Sequence, residues 1–181
     1  TLGGIAGNNS CGTRSIRYGV MRDNVTAIDA ILADGSEARF GEVVGRPDGR
    51  NAPDTAAALM HDLVALGRRE AVHLATAYPQ TARRVGGYNL DALVPGQTPV
   101  NLATLLVGSE GTLALSKRIA LKLSPQPRNK ALGICHFPTF RQAMEAAQHI
   151  VELGPVAVEL VDRSLIELAR DIAMFRPVMD T

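Results

Sequence analysis

The apolar residues change period repeatedly along the chain, and each change predicts an element. Val25, Ala27, Ile28, Ala30, Ile31 and Leu32 crowd together and then break at Asp34-Gly35, a strong hairpin-turn dipeptide. Ser36-Glu37-Ala38-Arg39-Phe40 alternates as the return strand with one wet face, so a hairpin is expected over residues 25–40. Gly41 to Asn51 holds glycines and a proline and reads as a loop. Asp54 can then cap a helix whose apolar face carries Ala57, Ala58, Leu59, Leu63, Val64 and Leu66, with Gly67 as its stop. Glu70 to Tyr78 predicts a second, shorter helix closed by Pro79. Thr81 to Thr98, with Gly86-Gly87 and Pro95-Gly96, reads as an extended loop of the kind that lines active sites. Asn101 to Val107 is largely apolar and is expected to be a buried strand running into Gly108-Ser109-Glu110-Gly111-Thr112. Ile119, Leu121 and Leu123 alternate with Ala120, Lys122 and Ser124, a half-buried strand stopped by Pro125 and Pro127.

The rhythm is different beyond Pro125-Gln126-Pro127, which marks a boundary between residues 1–127 and 128–181. Ala131 to Phe137 predicts a strand. Thr139 caps a helix with the stripe Phe140, Ala143, Met144, Ala147, Ile150 and Val151, and Gly154-Pro155 ends it. Val156 to Val161 predicts another strand, on which Glu159 and Asp162 read as outward charges, and Ser164 to Ile172 another helix. That β-α-β-α order is the first half of a small α+β sandwich. The chain holds no internal repeat and no low-complexity tract.

The least ordinary stretch lies at the start. Leu2 to Gly12 contains four glycines and two asparagines. Glycine accepts positive φ and admits a ligand close to the backbone, and asparagine tolerates left-handed backbone while offering both a donor and an acceptor. The run is expected to be a surface laid against something flat or anionic. Composition adds mainly exclusions. With 46% apolar residues, 20% charged residues and a net charge of +1, the chain can bury a core but offers no strong field for nucleic acid or for a membrane surface. No basic run exceeds two residues, and no apolar run reaches the roughly 18 residues of a membrane span. Cys11 and Cys135 are far apart and read as reduced thiols of a cytoplasmic protein, with Cys11 expected to be a small buried one. His61, His73, His136 and His149 show no ligand spacing, so no metal site is expected.

Gly3-Gly4-x-x-x-Asn8-x-x-x-Gly12, Tyr18-Gly19, Asp23-Asn24-Val25 and Ala33-Asp34-Gly35 follow one another in an order and spacing that resembles the FAD-linked oxidases. The likeness is to the FAD-binding domain of the para-cresol methylhydroxylase/vanillyl-alcohol oxidase type. Gly86-Gly87-Tyr88-Asn89-Leu90, followed by Leu105-Leu106-Val107-Gly108-Ser109-Glu110-Gly111-Thr112-Leu113, is similar to the branch acting on D-2-hydroxy acids. That branch contains D-lactate dehydrogenases, D-2-hydroxyglutarate dehydrogenases and a component of glycolate oxidase. The wording from Asn8 to Gly19 resembles large members with a C-terminal iron–sulfur region. The resemblance implies the second half of an FAD-binding domain, an antiparallel sheet flanked by helices, followed by the start of an α+β cap domain. It further implies that the first half precedes Thr1 and that the rest of the cap follows Thr181.

In such flavoproteins, glycine-rich backbone amides hold the cofactor's diphosphate. The resemblance therefore assigns cofactor binding to Gly3, Gly4, Asn8, Gly12, Tyr18, Gly19, Val25, Gly108, Glu110 and Gly111. Asn8 would bond a ribityl or phosphate oxygen. Glu110 would either fix its own turn or bond a cofactor hydroxyl. Arg83, Arg84 and Tyr88 could face a carboxylate substrate or belong to a solvated loop. Leu113-Ala114-Leu115-Ser116-Lys117 departs from the family's usual Leu-Gly-Ile continuation, which places a lysine near the expected flavin edge. The implied activity is oxidation of a D-2-hydroxy acid to the 2-oxo acid, with a histidine of the cap as base and no catalytic residue assigned in this chain. The rivals are an FAD-linked oxidase of alcohols or phenols, an alkyl-glycerone-phosphate-synthase type, or a folding module that binds no FAD. The implied partners are a small hydroxy acid and an electron acceptor, with no nucleic acid. The implied location is cytoplasmic, with peripheral membrane attachment left open.

Overall fold

The computed structural model describes residues 1–43, 55–81, 83–96 and 99–175. The expected cap at Asp54 and most of the 41–51 loop lie outside them. The chain divides into two compact units, one formed by Thr1–Gly12 with Gly19–Pro125 and the other by Thr13–Tyr18 with Gln126–Thr181.

The first unit is built on an antiparallel sheet. Its strands β1 (Val25–Ile31), β2 (Glu37–Gly41) and β3 (Leu115–Leu121) lie in the order β2-β1-β3. The expected hairpin forms as β1 and β2, with Ile28 opposite Phe40 and Ala30 opposite Ala38. Those four residues are buried on the core face. On the other face Asp29 lies opposite Arg39 and Arg118 and pairs with both, at 2.7 and 3.5 Å. The turn is set by chemistry that the dipeptide announced. Gly35 takes φ +83°, and Asp34 Oδ1 accepts from both the backbone N–H and the hydroxyl of Ser36.

Helices cover the sheet: α1 (Leu2–Gly7), α3 (Met21–Asn24), α4 (Thr55–Arg69), α5 (Ala71–Ala77) and α6 (Ala103–Leu106), with a 3₁₀ turn at Leu90–Leu93. The remaining short helix of the chain's first part, α2 (Ser15–Tyr18), belongs to the second unit. The core joins Ile28 and Phe40 of the sheet to Val64 of α4, Leu93 of the 3₁₀ turn and Leu102 to Val107 around α6.

The glycine–asparagine run begins as a helical turn, capped by the Thr1 side chain accepting from the Gly4 N–H. Two expectations need correction here. The apolar stretch 101–107 is a short helix and not a strand. It is buried on every side, so its periodicity carried no signal, and Asn101 starts it by accepting from the Ala103 N–H while donating to the Val25 carbonyl. Gly67 does not stop α4, which continues to Arg69. A Cβ at Gly67 would lie 2.1 Å from the Leu93 carbonyl oxygen, so this glycine is there to let the helix touch the 3₁₀ turn.

In the second unit, α7 (Phe140–Glu152) and α8 (Arg163–Asp171) form where their patterns place them. Thr139 caps α7 through the Gln142 N–H, and Gly154 leaves the helix at φ +67°. Arg17 Nη1 donates to the Gly154 carbonyl at 3.1 Å. The strands expected at 131–137 and 156–161 do not form. Among the described residues neither has a strand to pair with, and an extended segment is a strand only through its ladder. Asp162 is accordingly not a strand charge. Its carboxylate caps α8, accepting from the Leu165 N–H at 2.7 Å. Cys11 and Cys135 are both free and exposed, which corrects the expectation of a buried Cys11.

Replacing Gly67 with alanine forces the helix away from Leu93. Overpacking of this kind costs about 1–3 kcal/mol, against a few tenths to about 1 kcal/mol gained from better helix propensity. Urea denaturation of Gly67→Ala is expected to show a net loss of stability.

Candidate functional site

The first unit gathers most of the sequence-predicted site residues around one junction. The C-terminal end of α1 meets the turn that follows α6. Gly108 N–H donates to the Ala6 carbonyl and Glu110 N–H to the Gly7 carbonyl, both at 2.9 Å. Gly108 is buried, and at φ +82° its α-carbon presses between neighbours: an added Cβ would lie 3.2 Å from Asn9 Cβ and 3.3 Å from the Gly87 carbonyl oxygen. Glu110 and Gly111 continue the turn at φ +55° and +75°. Left-handed backbone costs a glutamate about 1–2 kcal/mol. Ser109 secures the turn from inside, its hydroxyl donating to the Leu106 carbonyl and its carbonyl accepting from the Thr112 hydroxyl.

Around this junction the glycines divide into two kinds. Gly19 and Gly108 are demanded by the fold: each has positive φ, and a Cβ on Gly19 would meet the Asp23 carboxylate at 2.6 Å. Gly3 and Gly12 are exposed, take no positive φ, and would place a Cβ against nothing within 4 Å. Nothing within the described chain requires glycine at these two positions. Gly111 also faces open space, although its φ requires glycine, and a Cβ on Gly4 meets only the Thr1 hydroxyl at 3.3 Å.

The other predicted residues are placed as follows. Asn8 is exposed and accepts from the Ser10 hydroxyl. Val25 is buried in β1, with its carbonyl occupied by Asn101. Tyr18 lies in the second unit, at the end of α2. Arg83 is exposed. Tyr88 is exposed, its hydroxyl 2.8 Å from the Thr112 hydroxyl beside Gly111 and its carbonyl accepting from the Tyr78 hydroxyl. Arg84 is largely buried. It donates to Asp91 and lays its guanidinium 4.0 Å from the centroid of the Tyr78 ring, while its Nη1 is buried with no partner among the described residues.

Four residues that the sequence reading did not single out hold the junction together. Asn9 is fully buried at φ +51°, and its Oδ1 accepts from the Arg22 backbone N–H at 2.9 Å. Its Nδ2 is buried and has no partner among the described residues. Arg22 Nη1 donates to Asn89 Oδ1 at 3.0 Å and to Asp91 Oδ2 at 3.1 Å. Asn89 is also fully buried and donates to the carbonyls of Thr104 and Val107. The opposite charges of Arg84 and Asp91 along one glycine-flanked loop were the available signal for that pair. Nothing in the sequence tells Asn8 from Asn9. An open pocket of about 410 Å³ adjoins the cluster, lined among others by Arg22, Leu74, Tyr78, Thr81, Arg84 and Asp91. Among the described residues no group of histidine, cysteine, aspartate and glutamate side chains could hold a metal ion, and no helix is long and apolar enough to cross a membrane.

With this geometry in view, known families can be compared. Residues 1–41 match the family model of an FAD binding domain, and residues 126–179 match that of the C-terminal domain of FAD linked oxidases. The chain is similar to a D-lactate dehydrogenase of Archaeoglobus fulgidus, at 26% identity over 96% of this chain and 28% of the relative. It is likewise similar to a D-2-hydroxyglutarate dehydrogenase of Escherichia coli K12, at 26% identity over 99% of this chain and 18% of the relative. A probable mitochondrial D-lactate dehydrogenase of Danio rerio is 27% identical over 92% of this chain and 24% of its own length. The resemblance to FAD-linked oxidases read from the sequence is borne out by these matches. The chain spans only 18% to 28% of the length of these curated relatives.

Asp91 gives the cluster a pH dependence. Burial raises its carboxyl pKa, but the hydrogen bond from Arg84 and the charges of Arg22 and Arg84 outweigh burial and hold it below the usual carboxylate value. The folded state thus favours the ionised form. Its contribution is complete above the ordinary pKa of about 4 and is lost as pH falls through the lowered value. Thermal unfolding between pH 6 and pH 2 is expected to show a steeper acid loss for the wild type than for Asp91→Asn, which starts less stable.

Proposed function

We propose that this chain supplies part of an FAD site in an oxidoreductase that converts a D-2-hydroxy acid to the 2-oxo acid. The observation that carries the reading is the pair of exposed glycines, Gly3 and Gly12, whose missing side chains neither the backbone nor the packing explains. A flat or anionic group lying against them does explain them.

In this reading Gly3, Gly4, Asn8 and Gly12 bring backbone and amide groups to the cofactor from one side. Gly108, Glu110 and Gly111 form the facing turn. Gly19 shapes the entry into α3. Residues 1–127 correspond to the C-terminal part of the FAD domain and 128–181 to the beginning of the cap. A bound flavin would supply the hydride acceptor for the substrate carbon. The protein's residues orient the reactants and exclude water. Tyr88 presents an exposed ring beside Gly111 to the substrate. Arg84 contributes its charge to a substrate carboxylate from within the loop, because Asp91 and Tyr78 already fix its guanidinium. No residue of this chain is assigned as the proton acceptor. The names of the relatives, D-lactate and D-2-hydroxyglutarate dehydrogenases, support the hydroxy-acid class.

The test separates cofactor contact from folding. Gly3→Ala and Gly12→Ala are expected to leave the melting temperature of the free chain unchanged or slightly higher, since neither added Cβ meets an intrachain neighbour. In an FAD titration followed by flavin fluorescence, both variants should bind about tenfold or more weakly than the wild type, a difference of roughly 1.4 kcal/mol. Equal FAD affinity in all three proteins would remove the cradle assignment.

A further inference from the structure

We infer that Asp91 is a positioning residue for the Gly108–Glu110 face of the cofactor cradle and acts on it through Arg22 and Asn9. Calling that face a cradle rests on the flavin reading above, whereas the mechanical coupling is a property of the chain alone.

Among the described residues Asp91 bonds directly to neither α1 nor the turn after α6, yet a continuous line of polar contacts runs from it to both. It sits in the first turn of the 3₁₀ segment, whose Leu93 is fully buried and pressed against Gly67, so its mounting is rigid. Its two carboxylate oxygens are divided between two arginines: Oδ1 accepts from Arg84 and Oδ2 from Arg22. Arg22 is further held by Asn89 Oδ1, and Asn89 is tied by its amide nitrogen to the Thr104 and Val107 carbonyls at either end of α6. Arg22 therefore has a fixed side chain, and that fixes the four-residue helix α3 carrying its backbone N–H.

That N–H is the donor to Asn9 Oδ1. Asn9 needs it, because the residue is buried in a left-handed conformation and its other amide atom is unpaired. Asn9 in turn abuts the α-carbon of Gly108, the residue whose N–H bonds to Ala6. Replacing the Asp91 carboxylate with an amide removes the charge that two guanidiniums share and frees the side chain of Arg22. The hydrogen bond to Asn9 and the two backbone bonds of the junction then open more often. β1 is held by its own ladder to both neighbouring strands and does not depend on this line.

Amide hydrogen exchange on the full chain, read residue by residue, tests the coupling without any cofactor. In Asp91→Asn the Gly108 and Glu110 amides are expected to exchange roughly tenfold or more faster, while the amides of β1 keep their wild-type rates. Asp91→Glu, which keeps the charge, should recover part of the protection. Arg22→Lys, which keeps a cation but loses the planar fork, should give the same pattern as Asp91→Asn and serves if that variant fails to fold. Unchanged exchange at Gly108 and Glu110 overturns the inference, and so does acceleration that spreads equally to β1. FAD titration of the same proteins keeps the two readings apart: a wild-type chain that binds no FAD while showing the expected exchange pattern defeats the flavin reading and supports the positioning role.

Discussion

Two backbone hydrogen bonds, from Gly108 to Ala6 and from Glu110 to Gly7, join the first helix of the chain to the distant turn between α6 and β3. Neighbouring features follow from the need to make them. Gly108 has to be glycine because the approach leaves no room for a side chain, and Glu110 bears a left-handed backbone to present its N–H. Asn9 closes the gap above Gly108, and Asn89 fills the space beneath α6 with an amide whose donors and acceptor are all engaged. A buried polar core of this type is stable only when its members are satisfied together. The unpaired Asn9 Nδ2 and Arg84 Nη1 are its exceptions.

The parts of this architecture that were legible in the sequence are those written in local chemistry. Asp34-Gly35 fixed the hairpin because its turn needs a residue at positive φ and an acceptor beside it. Thr139 and Gly154 bounded α7 because caps act within one turn of their own residue. Gly67 was misread because propensity treats a glycine near a helix end as a stop, while its purpose is a contact with Leu93, distant in sequence. The 101–107 segment was misread for a related reason: burial on every side erases the period that separates helix from strand. At the site, the glycine motifs led to the junction between α1 and the turn after α6. Asn9, Arg22, Asn89 and Asp91 escaped notice because their importance lies in meeting one another across the fold.

The second unit shows what a sequence pattern does when pairing is missing. Its helices are capped and amphipathic, and both features are local. Its two expected strands have the composition of strands but no ladder among the described residues, and Leu132 and Ile134 are exposed in consequence. Helices satisfy their backbone internally, whereas strands borrow that satisfaction from a neighbour. The same asymmetry turned Asp162 from a presumed strand charge into a helix cap.

The charges that bind Asp29 to Arg39 and Arg118 have an effect beyond the sheet they decorate. β2 and β3 are its two outer strands, and with Glu37 and Lys117 they carry paired, solvent-facing charges along both rims. An extended peptide approaching either rim must lie alongside ions that already have partners and are well hydrated, and this disfavours adding a further strand. The salt bridges on the outer strands thus guard the sheet against unwanted pairing while contributing little to its folding.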